Sequence, residues 1–172
     1  MVRSALQGRP MGRGPVPGAQ FVPAALVVLA SSLAVLPIMS LTGWWPNFGL
    51  LTLIAYRMLR ADCFPAWWGA PLGFANDLLT GSPLGLSIAL WPMIMLAMDL
   101  VDRRTQFRDY WIEWVVASLL IAVGEWAEWQ ATALAGAALP AKILAAPIII
   151  SILTFPVIGL IVWRIDRWRL GR

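Results

Sequence analysis

The 172-residue chain contains no histidine. That excludes Ser-His and Cys-His nucleophile pairs, His-ligated zinc or haem, and imidazole proton relays. Its single cysteine, Cys63, excludes an internal disulfide and any multi-cysteine metal site. Charge is scarce: 13% of residues are charged, against about a quarter in a soluble domain. No Gly-rich P-loop and no dinucleotide fingerprint occurs, so no nucleotide site is expected. What remains is apolar. Sixty per cent of residues are hydrophobic and the mean hydropathy is +0.74, the composition of a membrane protein. The pI of 10.2 would suggest nucleic acid only if the cations formed one solvated patch, and they are scattered in short groups.

A bilayer core about 30 Å thick needs about 20 apolar helical residues to cross it. The hydrophobic pattern predicts six such segments: Phe21 to Gly43, Pro46 to Leu59, Phe64 to Thr80, Leu84 to Val101, Ile112 to Gly136, and Ile143 to Trp163. The expected fold is an all-α membrane protein of six transmembrane helices, the second and third short. Those two must be buried by neighbours, thin the bilayer locally or be re-entrant. Residues 1–19 read as a flexible basic cytoplasmic tail, 20–164 as the transmembrane domain, and 165–172 as a second short basic tail. The first segment resembles a retained helix more than a cleaved signal peptide, and Met11 is an alternative start to Met1.

Charge fixes the expected orientation. With the N-terminus inside, the inner segments hold Arg3, Arg9, Arg13, Arg57, Arg60, Arg103, Arg104, Arg108, Arg164, Arg167, Arg169 and Arg172. The outer loops hold only Lys142. Twelve cations against one is a positive-inside distribution. The arginines are therefore read as topology signals and contacts to anionic lipid. Asp99 and Asp102, beside Arg103 and Arg104, are expected to pair locally at small energetic gain.

Three carboxylates fall inside the segments: Asp77, Glu125 and Glu128. A carboxylate at the bilayer centre costs roughly 2.5–3.5 kcal/mol on insertion scales. Asp77 and Glu125 each lie about 20 Å from the inner face, in the outer half of the membrane. Glu125 and Glu128 are three residues apart and share a helix face; Trp126 and Trp129 form an adjacent indole stripe. The carboxylates either bond headgroups and neighbouring helices or line a wall that meets a partner. A metal site is a weaker alternative, because nothing in the spacing fixes its geometry.

The third segment carries Gly69 and Gly73 in GxxxG spacing, which permits close helix approach. Gly81 is placed to end this helix and Pro83 to start the fourth. Asp77, one turn before Gly81, is placed to accept from N–H groups of the turn. Most tryptophans fall near membrane faces as an aromatic belt; Trp91, Trp126 and Trp129 lie deeper and need packing or a partner.

Two stretches carry a resemblance. The first runs from Trp45-Pro46-Asn47-Phe48, through Tyr56-Arg57 and Pro65, to Gly73-Phe74-Ala75-Asn76-Asp77-Leu78-Leu79-Thr80-Gly81-Ser82-Pro83-Leu84-Gly85. The second is Trp126-Ala127-Glu128. Together they resemble the MreD family of rod shape-determining proteins, whose members show an apolar helix ending in Asp followed by a Gly-x-x-x-Gly turn. The match is close over about residues 45–92 and holds elsewhere in hydropathy alone. Family members often carry an aliphatic residue where Asn76 stands here, which leaves its role open.

The resemblance implies a non-enzymatic subunit of the bacterial cell-wall elongation complex in the inner membrane, without cofactor. It implies a bitopic MreC-like partner, the actin-like MreB, and the glycosyltransferase and transpeptidase of the rod complex. It also implies a fold like the substrate-binding subunits of energy-coupling vitamin transporters. On this reading the partner groove is Asp77, Gly81, Pro83 and Gly85 with Glu125, Glu128, Trp126 and Trp129. The alternative is a small-molecule binding subunit of an importer, with the same carboxylates facing a cavity. An intramembrane hydrolase would need two facing aspartates, and only Asp77 qualifies clearly.

Overall fold

A computed structural model describes residues 21–36, 45–60, 63–104, 110–134, 136 and 144–170. Among them it contains six α-helices and no strand: α1 (Val22–Ser32), α2 (Phe48–Leu59), α3 (Gly69–Thr80), α4 (Leu86–Arg104), α5 (Tyr110–Leu134) and α6 (Ala145–Arg169). The expectations for Arg3, Arg9, Arg13, Arg108, Arg172, Lys142, Trp44 and Met11 lie outside the described residues, as do the side chains of Arg103 and Arg104.

The helix ends follow local chemistry. Pro23 sits in the first turn of α1, where its missing N–H costs nothing. The helix is shorter than the apolar run predicts. It tightens into a 3-10 turn at Leu33–Val35, and Leu36 is extended at φ −63°, ψ 130°. Leu36 precedes Pro37, whose ring disfavours α geometry in the residue before it. α2 begins behind Asn47, whose side chain accepts from Leu50 N at 3.1 Å, a typical N-cap. α3 starts at Gly69 rather than Phe64. Phe64 precedes Pro65, which is itself extended, and a 3-10 turn at Ala66–Trp68 leads in.

α2 is the axis of the fold. It is buried continuously from Gly49 to Arg57 and packs against α1, α4, α5 and α6. Its 12 residues span only about 18 Å. Of the three ways to accommodate a short apolar helix, the chain uses burial by neighbours. Leu53, Ile54, Tyr56, Trp91, Met95 and Ile121 form the closed centre of the core.

One described helix, α6, is long and apolar enough to cross a bilayer. It continues through Arg169, past the predicted end at Trp163, so residues 165–169 are helix rather than tail. α1 and α2 are shorter apolar helices. Large apolar side chains point outward along the bundle, Leu84, Met93, Leu119, Leu153 and Leu160 among them.

Candidate functional site

Of the residues expected to form the site, Asp77, Gly81, Pro83, Gly85 and Glu128 meet at the turn between α3 and α4. Gly81 adopts the left-handed conformation at φ 71° and its N–H closes α3 onto the Asp77 carbonyl at 3.1 Å. Gly85 is also left-handed, at φ 103°. Around both glycines a Cβ would meet only open space, so backbone conformation rather than crowding calls for glycine. Pro83 stands three residues before α4 rather than at its start, and Leu86 N bonds its carbonyl at 3.2 Å.

Asp77 is 1% exposed and belongs to this turn. Its Oδ2 accepts from Gly85 N at 2.9 Å and its Oδ1 from Ser87 N at 3.1 Å. A carboxylate on one helix thus caps the N-terminus of the next, where free N–H groups and the helix dipole favour negative charge. Asn76, fully buried beside it, gains a definite role. Its Oδ1 accepts from Ser31 Oγ of α1 at 2.9 Å, and its Nδ2 donates to Ser87 Oγ of α4 at 3.1 Å.

Glu128 reaches the same turn. Ser82 Oγ donates to its Oε1 at 2.9 Å, and the Ser82 and Thr80 hydroxyls lie 2.8 Å apart. Glu125, three residues earlier, turns elsewhere: Ser151 Oγ of α6 donates to it at 3.0 Å and Asn47 N at 3.4 Å. The two glutamates therefore tie α5 to the α3–α4 turn, to α6 and to the head of α2. Asp77 and Glu125 are buried and occupied by internal donors, so they are not offered to a partner as expected. Gly81 and Leu84 at the tip of the turn are exposed, as is Trp126; Trp129 is half-buried. Trp91 takes the packing alternative and is fully buried. Among the described residues no group of three acidic or cysteine side chains is placed to hold a metal ion.

Gly69 and Gly73 do what their spacing predicts, and α4 is the neighbour they admit. A Cβ on Gly69 would stand 2.6 Å from Pro92 N, and one on Gly73 would collide with the Ser87 carbonyl. Pro92 lacks an N–H and removes a ladder bond inside α4.

The opposite end of the bundle holds an ion cluster that a count of arginines by location misses. Arg57, 5% exposed at the end of α2, pairs with Asp99 of α4. Asp99 thus pairs across helices, a partner that its place in the sequence does not announce. Asp166 pairs with Arg60 at 3.3 Å and with Arg169 at 2.5 Å, and Arg169 also donates to Cys63 Sγ at 3.6 Å. Arg57 and Arg60 are therefore structural ties as well as positive charges at this end. Arg164 and Arg167 remain exposed, and Arg167 lies over the Trp163 ring at 4.8 Å. The available signal is Asp166 alone in a run of arginines, together with two helix-spaced arginines, Arg57 and Arg60, at the end of an otherwise apolar segment.

Beside this cluster lies a cavity of about 490 Å³ between α2, α5 and α6, with Glu113 among its lining residues. No protein-family model, curated protein or solved structure matches this chain.

Proposed function

We propose that the chain is a non-enzymatic, multi-pass subunit of the bacterial cell-wall elongation complex, similar to MreD, that docks a single-span MreC-like partner. On this reading all six helices lie in the cytoplasmic membrane with both termini inside, and the α3–α4 turn faces outward. MreB and the wall-building glycosyltransferase and transpeptidase then join through the assembled complex.

The observation that carries the reading is the α3–α4 turn. The residues that resemble the family, Asp77, Gly81 and Gly85, act there as one unit: two left-handed glycines turn the chain, and the Asp77 carboxylate caps the helix that follows. Supporting it are the twelve arginines on the proposed inner side and the outward-facing apolar side chains. The importer alternative asks the carboxylates to face an open cavity, and Asp77 and Glu125 instead accept bonds from within the fold.

The test is affinity capture of the full chain from its native membranes after mild cross-linking, with mass spectrometry of what is retained. An MreC-like single-span protein is the expected result. Its absence, with the chain itself recovered intact, would overturn the proposal.

A further inference from the structure

The geometry points to the cavity between α2, α5 and α6 as the site of an anionic phospholipid of the inner leaflet, with an acyl chain in the cavity and the phosphate at Arg164 and Arg167. The inference rests on the reading that the bundle lies in the membrane with this end inside. It does not depend on the MreC-like partner.

The cavity follows α6 from Phe155 to Trp163, about 12 Å of helix. Ala55 and Leu59 of α2 and Trp114 of α5 wall its other sides. At Gly159 nothing lies within 4 Å of the place a Cβ would occupy. The volume is about 490 Å³, roughly three times that of an apolar cavity that takes one benzene, which is room on the order of one acyl chain.

The next turn of α6 carries charge. Leu160 and Trp163 line the cavity, and Arg164 and Arg167 follow them by four residues, so they continue the same helix face. Both arginines are exposed, and Arg167 lies over the Trp163 ring. Asp166, the acid between them, is shared by Arg60 and Arg169. Glu113 also lines the cavity, half-buried and engaged within the chain. Against its one negative charge stand two exposed positive ones.

Along α6 the order is apolar space, indole, guanidinium. That is the order of tail, interface and phosphate in a phospholipid. Tryptophan favours the headgroup level, and guanidinium matches the geometry of phosphate oxygens. Basic pockets between helices on the cytoplasmic side take anionic headgroups. A partner's helix suits this end less, because its cytoplasmic flank carries Lys or Arg and would bring like charge to both arginines.

The test reconstitutes the full chain into phosphatidylethanolamine vesicles doped with phosphatidylglycerol that carries a diazirine on one acyl chain. Phosphatidylcholine with the same diazirine is the comparison. After irradiation, labelled peptides are quantified by mass spectrometry. Phosphatidylglycerol is expected to label the segment from Phe155 to Trp163 about tenfold more than phosphatidylcholine does. Met93 and Leu96, which face outward on α4, should label alike with both lipids. Arg164→Gln combined with Arg167→Gln should abolish the preference, and Gly159→Phe should clear the segment of label from either lipid. Should Gly159→Phe fail to accumulate, the lipid comparison and the arginine pair decide the matter. Equal labelling of α4 and α6 by both lipids would mean an ordinary lipid annulus and overturn the inference. So would a partner captured by the unaltered chain and lost by Gly159→Phe while the label stays, which would make the cavity a helix seat. A chain stripped from the vesicles by alkaline carbonate would overturn the membrane reading itself.

Discussion

Asp77 Oδ1 lies 3.1 Å from the backbone nitrogen of Ser87, ten residues further along the chain. With Oδ2 on Gly85 N, this contact makes one buried carboxylate the cap of the following helix. Glu128 and Asn76 then bring α5 and α1 to the same point through Ser82, Ser87 and Ser31. In lipid such bonds between helices are individually modest, about 0.6 kcal/mol on average. Their combined effect is to set the relation of α1, α3, α4 and α5.

Asp77→Ala removes both acceptors from the head of α4. Loss of a cap typically costs about 0.5–2 kcal/mol, and burial of Ser87, whose N–H is left stranded, places this one in the upper part of that range. Thermal unfolding in detergent should show a lower midpoint for Asp77→Ala and a smaller decrease for Asp77→Asn, which keeps one acceptor. An unchanged midpoint for Asp77→Ala would refute the capping role.

Gly73→Ala should destabilise the chain by more than about 1 kcal/mol, because its Cβ collides with backbone that cannot swing aside. Gly159→Ala meets nothing and should fall within about 0.5 kcal/mol of the unaltered chain. Comparing the two unfolding midpoints checks the close approach of α3 to α4.

Asp99→Ala leaves Arg57 buried without its partner. Breaking a buried pair costs about 3–5 kcal/mol, and because the Asp99 side chain is 27% exposed the lower end is expected. Arg57→Met combined with Asp99→Leu should recover most of the loss, since removing both charges also removes their desolvation cost. A double-mutant cycle measured by unfolding reads the coupling directly.

The features legible in the sequence are local ones. Asp77, Gly81 and Gly85 stand within nine residues, and turn chemistry alone assigns them an Asp-capped break between helices. The early end of α1 has a local signal too: Leu36 precedes Pro37, inside an apolar run that continues past both. The contacts that stay hidden join distant positions. Arg57 with Asp99, and Glu125 with Ser151, depend on which helix faces which, and periodicity does not carry that information. The groove at Gly159 is hidden for the same reason: it is space left between helices, not a property of any one of them.

Labelling tests the proposed orientation. In a Cys63→Ser background, Leu84→Cys should react in intact cells with a membrane-impermeant thiol reagent, because Leu84 is 70% exposed at the tip of the turn that the proposal places outside. Arg164→Cys should react only after the cells are opened. The reverse pattern would invert the topology and place the arginine cluster outside.

The central claim is that the chain serves cell-wall elongation. Its most direct test is depletion of the chain in its native cells, followed by time-lapse microscopy in rich medium. The account predicts that elongated cells widen and round up as the chain is lost, while the medium supplies every nutrient. Unchanged cell shape, with growth in minimal medium now requiring an added vitamin or amine, would contradict it.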